Sequence, residues 1–298
     1  MNKIENMDIE SLKFLYNDDI IYHYTKASTA IDFILYNQHL KFTHRRKSND
    51  PIESRTAERV TIYTGLEVCK PISEEKDLDS DCLHDYINSL EDEFYQICFC
   101  KNSMGADFAS KYIHSDFSGN EEFFGFAKPR MWEQYADNYT GVCIAFSEKK
   151  ILELNKDLDL LKGNIKYLTY NELSYKKLGD IYGNRLSNLG VEQCKKESEK
   201  IVKKSFFYKH KDYEGENEYR IGTLYDGIML NATGCIEAIF MSSYANAKQK
   251  NDLLEYANNN KLNIPIFELD WQYNSFRLRD RKFMETIDNV AKMYLQNK

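Results

Sequence analysis

The segment Glu214-Gly215-Glu216-Asn217-Glu218-Tyr219-Arg220-Ile221 concentrates charge at the mouth of an apolar run. On a strand, Glu216, Glu218 and Arg220 share one face at period two, so two carboxylates and a guanidinium stand side by side. A fixed carboxylate stabilises a cationic intermediate, and a second one held by arginine keeps it oriented. A salt-bridge ladder on a solvated edge has the same pattern.

Two more polar groups sit in apolar surroundings, where an unpartnered polar group costs roughly 1 to 3 kcal/mol. In Tyr22-His23-Tyr24-Thr25, alternation sets His23 and Thr25 against Tyr22 and Tyr24. The alternative reading is a hydrogen-bonded core histidine. In the segment from Lys128 to Asn138, Trp132 and Tyr135 are three apart and share a helix face, where they either stack on a planar ring or fill the core.

Familiar signatures are missing. There is no Gly-x-Gly-x-x-Gly, no phosphate loop ending in Gly-Lys-Ser/Thr, no His-Glu-x-x-His and no Cys-x-x-Cys. The six histidines are dispersed, so no metal is expected. The chain has 298 residues, 42% hydrophobic and 14% aromatic, enough for a substantial core. Its 47 acidic against 40 basic residues give a net charge of −7, which excludes a uniformly basic nucleic-acid-binding surface. No apolar stretch approaches the roughly 18 to 20 residues needed to span a bilayer, and no signal-peptide core opens the chain. Seven cysteines, mostly in apolar runs, point to reduced thiols and a cytoplasmic protein. The Asn-x-Thr sequons at Asn138 and Asn231 then read as chance matches.

The elements that must position these groups follow from periodicity. A short helix capped by Asp8 precedes a strand over 20–25. A helix with Ala27, Ala30, Ile31, Ile34 and Leu35 on its apolar face leads to a short strand near 40–43 and a charged loop over 44–51. Residues 74–93 hold nine acidic residues and one lysine at helical spacing, an expected acidic helical insertion. Strands are expected over 94–100, 142–146, 218–224, 236–241 and 264–269, with helices over 131–135, 191–207 and 248–257. Residues 148–212 read as a second helical insertion. Irregular mixing of strands and helices, without a linker, indicates a single α+β domain over 1–298.

In this order the motifs carry a family resemblance. A Tyr-His-Tyr-Thr strand comes first, then Asn49-Asp50-Pro51 with Glu53, then Cys98-Phe99. Met131-Trp132 with Tyr135-Ala136-Asp137 runs into Gly141-Val142-Cys143, and the series ends from Tyr213 to Arg220. With these motifs the chain resembles the bacterial family called domain of unknown function 2971. Tyr213 stands where that family often has Trp, and Gln134 and Tyr139 where it often has His. The family resembles, more remotely, the ADP-ribosyltransferase superfamily, which implies a split mixed sheet holding NAD in a cleft. By that resemblance NAD is the substrate, Glu218 and Glu216 are catalytic, and NAD contacts come from His23, Tyr24, Thr25, Asn49, Asp50, Trp132, Tyr135 and Arg220. His23 matches a ribose contact, Glu218 the carboxylate beside the ribose, and Tyr135 the ring stacked on nicotinamide.

Breaking the nicotinamide–ribose bond passes through an oxocarbenium-like state that a fixed carboxylate stabilises. Transfer of ADP-ribose to a protein or nucleic acid, or hydrolysis of NAD, in a toxin or phage-defence setting is the implied activity. The alternative is a catalytically inactive domain that binds a nucleotide or a protein. The basic loop over 44–47 and the seven lysines of residues 195–211 offer a path for a nucleic-acid acceptor, or simply solvated faces.

Overall fold

The computed structural model describes Leu15, residues 17–48, Asp50, Glu53, Tyr86 and residues 88–103, 123–174, 191–260, 264–272 and 276–280. The expected helix after Asp8, apart from Leu15, lies outside the described residues, as does Asn49. So does most of the acidic segment, of which residues 88–92 are helical.

The strands are β1 (Ile20–Thr25), β2 (His39–Lys41), β3 (Thr43–His44), β4 (Tyr95–Cys100), β5 (Val142–Ser147), β6 (Leu161–Asn164), β7 (Lys166–Leu168), β8 (Tyr208–His210), β9 (Glu218–Thr223), β10 (Met229–Asn231), β11 (Ile236–Ser242), β12 (Ile266–Trp271) and β13 (Phe276–Asp280). The helix α1 (Ala27–Thr29) runs on as a π-helix over Ala30–Leu35. It is followed by α2 (Pro129–Gln134), α3 (Glu148–Leu154), α4 (Tyr170–Ser174), α5 (Val191–Ser205) and α6 (Ala247–Asn259).

Nine of these strands form one sheet in the order β13-β12-β11-β5-β1-β4-β9-β6, with β3 also on β4. Every pairing in it is antiparallel except β11 with β12. Two small sheets, β10 with β2 and β7 with β8, flank it. This is a mixed α+β fold. The segment 148–212 contains helices but is not purely helical. Its β6 extends the main sheet along β9, and β7 and β8 pair with each other.

Alternation along the strands buries both faces of the sheet. On one, Ile21, Phe99, Phe146 and Ile239 pack beneath α1 and α6. On the other, Tyr22, Tyr24 and Phe240 meet Phe126, Met131 and Trp132. Farther along that second face, Phe94 stacks on Phe206 at 3.8 Å below α5. Gly222 allows this approach, since a Cβ there would stand 2.3 Å from the Phe94 ring. The sheet is narrowest in its middle: β1 pairs with β5 through six residues and β4 with β9 through six, whereas β1 meets β4 at Tyr22 and Cys100 alone.

Candidate active site: a buried carboxylate cluster

The second face carries two separate apolar coverings, and a charged cluster fills the seam between them. Register places Cys98, Cys100, Glu218 and Arg220 together on this face, because Cys98 pairs with Arg220 and Cys100 with Glu218. Arg220 Nε and Nη2 donate to Glu218 Oε1 at 2.8 and 2.6 Å, and Nη2 also to Glu53 Oε1 at 2.7 Å. Its Nη1 donates to the Phe206 carbonyl at 2.6 Å. Lys209 Nζ donates to Glu218 Oε2 at 3.0 Å and to Glu216 Oε2 at 2.7 Å. Glu53 Oε2 accepts from Ser48 Oγ at 2.8 Å. All five charged side chains are buried, none more than 4% exposed.

Burying ions costs several kcal/mol each, and only paired, well-bonded geometry offsets it. Every oxygen of Glu53 and Glu218 is engaged. Among the described residues, Glu216 Oε1 has no hydrogen-bond partner. The hydrogen-bonded cluster holds three carboxylates against two cations, and the charges respond accordingly. Burial raises the Glu216 carboxyl above its ordinary range, against the pull of Lys209 and with the push of Glu218. Burial would also raise Glu53, yet Arg220 and Lys209 hold it at about 2. For Lys209, burial opposes the charge, but Glu218, Glu53 and Glu216 keep the ammonium well above its usual range.

Aromatic rings border the cluster. The Tyr213 ring has Lys209 Nζ 4.5 Å from its centroid and Arg130 Cζ 4.7 Å from it, a cation–π contact with each. Arg130 starts from α2, where Pro129 opens the helix, and donates to the Asp212 carbonyl at 2.7 Å. Tyr135, just past α2, is half-buried. Burial raises its phenol pKa, and the charges of Glu216, Lys209 and Glu218 reach it. Tyr167 accepts from the Glu218 backbone N–H at 2.8 Å. Burial pushes the Cys98 thiol well up, with Glu218 adding to it.

Of the residues singled out from sequence, Glu216, Glu218, Arg220 and Tyr135 come together here. Asp50 is buried nearby, where its charge bears on Arg45 and Tyr213. The expectation that His23 shares their cleft is corrected by register. Tyr22 faces Cys100, so His23 points to the opposite side, with its ring 5.6 Å from that of Phe99. Its Nδ1–H donates to the Cys98 carbonyl at 3.0 Å, which fixes the tautomer, and burial lowers its pKa.

Trp132 and Tyr24 belong to the core. Trp132 is fully buried, donates from Nε1 to the Phe126 carbonyl at 2.8 Å, and meets Tyr24 edge-on. Tyr24 Oη donates to the Gly125 carbonyl at 2.6 Å. Neither presents a ring to a ligand. Thr25 is buried at the end of β1, where its carbonyl lies against Gly141. Lys209 and Glu53 complete the cluster without having been picked out as site residues. A lysine within seven resembles a solvated face. Glu53 was visible only as part of the loop motif. Among the described residues no group of three or more His, Cys, Asp or Glu is arranged for a metal ion, and no helix is long and apolar enough to cross a membrane.

Residues 131–221, which run from α2 through β9 and so contain Tyr135, Lys209, Glu216, Glu218 and Arg220, match the family described as Protein of unknown function (DUF2971). This match supports the family resemblance over that segment, which is less than a third of the chain. No curated protein and no solved structure matches the chain.

Proposed function

We propose that the chain is an NAD-consuming enzyme, an ADP-ribosyltransferase or NAD glycohydrolase, whose reaction centre is the carboxylate cluster at the start of β9. The observation that carries this reading is Glu216. It is a buried carboxylate bound to Lys209 through one oxygen, unpartnered at the other, and bordered by Tyr135 and Tyr213. A preorganised carboxylate in a low-dielectric site stabilises a ribosyl cation far better than one in water. The single-pair junction between β1 and β4 supports the finer reading of a split, ADP-ribosyltransferase-like sheet.

Glu216, rather than Glu218, takes the reacting role. Both oxygens of Glu218 are held by cations, so Glu218 positions Lys209 and Arg220. The bond between ribose C1′ and the pyridinium nitrogen breaks, and its electron pair leaves with nicotinamide. The acceptor oxygen or nitrogen bonds C1′, and its proton passes to Glu216 Oε1, whose raised pKa suits a base. The pyridine leaving group needs no acid. A cytoplasmic effector role in toxin or phage-defence systems, with a protein or nucleic acid as acceptor, belongs to the same reading.

The closed cluster also favours a second reading. Side chains exposed by 4% or less, with Glu218 saturated, suit a catalytically inactive module that binds a nucleotide or a protein. Incubating the purified chain with NAD, with and without lysate, separates the two. Nicotinamide release above the buffer rate supports the enzyme. NAD binding by calorimetry without release supports the module.

A further inference from the structure

Asn217 stands between the two carboxylates in a conformation most residues avoid, with φ 44° and ψ 52° in the left-handed region. It closes the 3-10 turn Lys211–Glu216, its N–H donating to the Glu214 carbonyl at 3.2 Å, and opens β9. Its side-chain amide donates to the carbonyls of Lys101 and Asn102 at 2.9 and 2.7 Å, just past β4. Its own carbonyl accepts from the Lys101 N–H at 3.0 Å. Asn102 in turn accepts from the Gly125 N–H at 2.9 Å and donates to the Leu15 carbonyl at 2.7 Å. One residue thus ties the Glu216–Glu218 bend to the backbone on which the β4 end and the approach to α2 rest.

We infer that Asn217 is a positioning residue: its left-handed backbone and its anchored amide together aim Glu216 and Glu218 at the single ammonium of Lys209 and keep Glu216 Oε1 free. On a continuous strand, residues two apart are spaced about 6.5 to 7 Å and extend in parallel. The bend lets both reach one Nζ, at 2.7 and 3.0 Å. Asparagine suits the task because it tolerates the left-handed region, as glycine does, and also supplies two donors. This inference rests on Glu216 being the reacting carboxylate. The charged and titratable groups that face Glu216 are Lys209 on β8, Tyr213 in the 3-10 turn, Glu218 on β9, Arg130 on α2, Tyr135 after it, Tyr167 on β7 and Cys100 on β4.

The test uses the full chain and the variants Asn217→Gly and Asn217→Asp. Glycine keeps the backbone conformation and loses both anchors, and aspartate replaces donors with acceptors. Three quantities are read: the melting temperature, the Glu216 titration by NMR of glutamate-labelled protein assigned with Glu216→Gln, and kcat and KM for nicotinamide release. Both variants stay folded, and the Glu216 midpoint falls toward the ordinary carboxylate range as water reaches the loosened bend. Turnover drops on the order of 10²-fold in kcat with little change in KM, as for a misplaced reacting group. A Glu216 titration in both variants that coincides with the wild type overturns the inference. The titration does not depend on NAD turnover. A wild-type chain that releases no nicotinamide therefore counts against the enzyme reading, while the titration still decides the role of Asn217.

Discussion

Glu216 and Glu218 share one ammonium: Lys209 Nζ stands 2.7 Å from the first and 3.0 Å from the second, with all three side chains buried. Two carboxylates this close repel each other unless a cation lies between them. Lys209 is that cation, so the site's charge balance hangs on a residue of β8, which pairs in the small flanking sheet.

Lys209→Met therefore leaves two carboxylates without their shared partner. Breaking a buried ion pair from one side costs about 3 to 5 kcal/mol. Urea unfolding at neutral pH should show that loss. Lowering the pH should restore part of it as Glu216 takes up a proton. Recovery only on raising the pH would contradict the charge assignment.

The pH dependence of stability should carry the signature of Glu53. Its folded pKa, about 2, lies below the ordinary 4.5, so its contribution is fully present above 4.5 and is lost as pH falls toward 2. The shift corresponds to roughly 3 kcal/mol for this buried group. Glu216, raised by burial, works the other way: folding disfavours its charged form relative to the unfolded chain, so its contribution to stability is lost as pH rises through its folded pKa. Melting curves of Glu53→Gln should be flatter between pH 5 and about 2 than those of the wild type.

Trp132→Phe should be a stability variant. It removes a fully buried indole and leaves the Phe126 carbonyl unpaired, a loss on the order of 1 to 3 kcal/mol. Nicotinamide release per folded molecule should stay at the wild-type value. A normal melting temperature with lost turnover would return the indole to the ligand site.

His23→Ala should behave likewise, because the imidazole lies across the sheet from the carboxylates and bonds the Cys98 carbonyl. Calorimetric titration should give an unchanged NAD affinity beside a lower melting temperature. A weakened affinity in a fully stable variant would place His23 in the ligand's reach after all.

The strands made of apolar runs were legible in the sequence, among them β1, β4, β5 and β11, since burial on both faces demands such residues. Short polar strands were not. β6, Leu-Lys-Gly-Asn, is an edge strand recruited by β9, and β7, β8 and β10 have three residues each, too few to show a period. β13 does alternate Phe276, Arg277, Leu278 and Arg279, a pattern of period two. In the site, spacing disclosed Glu218 and Arg220 on one strand face, because period two is a local property, whereas Glu216 ends the 3-10 turn before β9 and comes beside Glu218 through the left-handed bend at Asn217 rather than along a strand. Lys209 and Glu53 reach the cluster through tertiary packing, which no local pattern records. His23 failed for a related reason: alternation within β1 was right, but which of its faces matches that of β9 depends on pairing through β4.

Nicotinamide release by Glu216→Gln and Glu218→Gln, each compared with the wild type at equal folded fraction, tests the central claim most directly. Both swaps are nearly isosteric. Glu216→Gln should lose on the order of 10² to 10³ in rate while melting at or above the wild-type temperature, because it removes the cluster's excess charge. Glu218→Gln should lose stability first, through the ion pairs to Lys209 and Arg220. Full turnover by Glu216→Gln, or a wild type that releases no nicotinamide, would contradict the account.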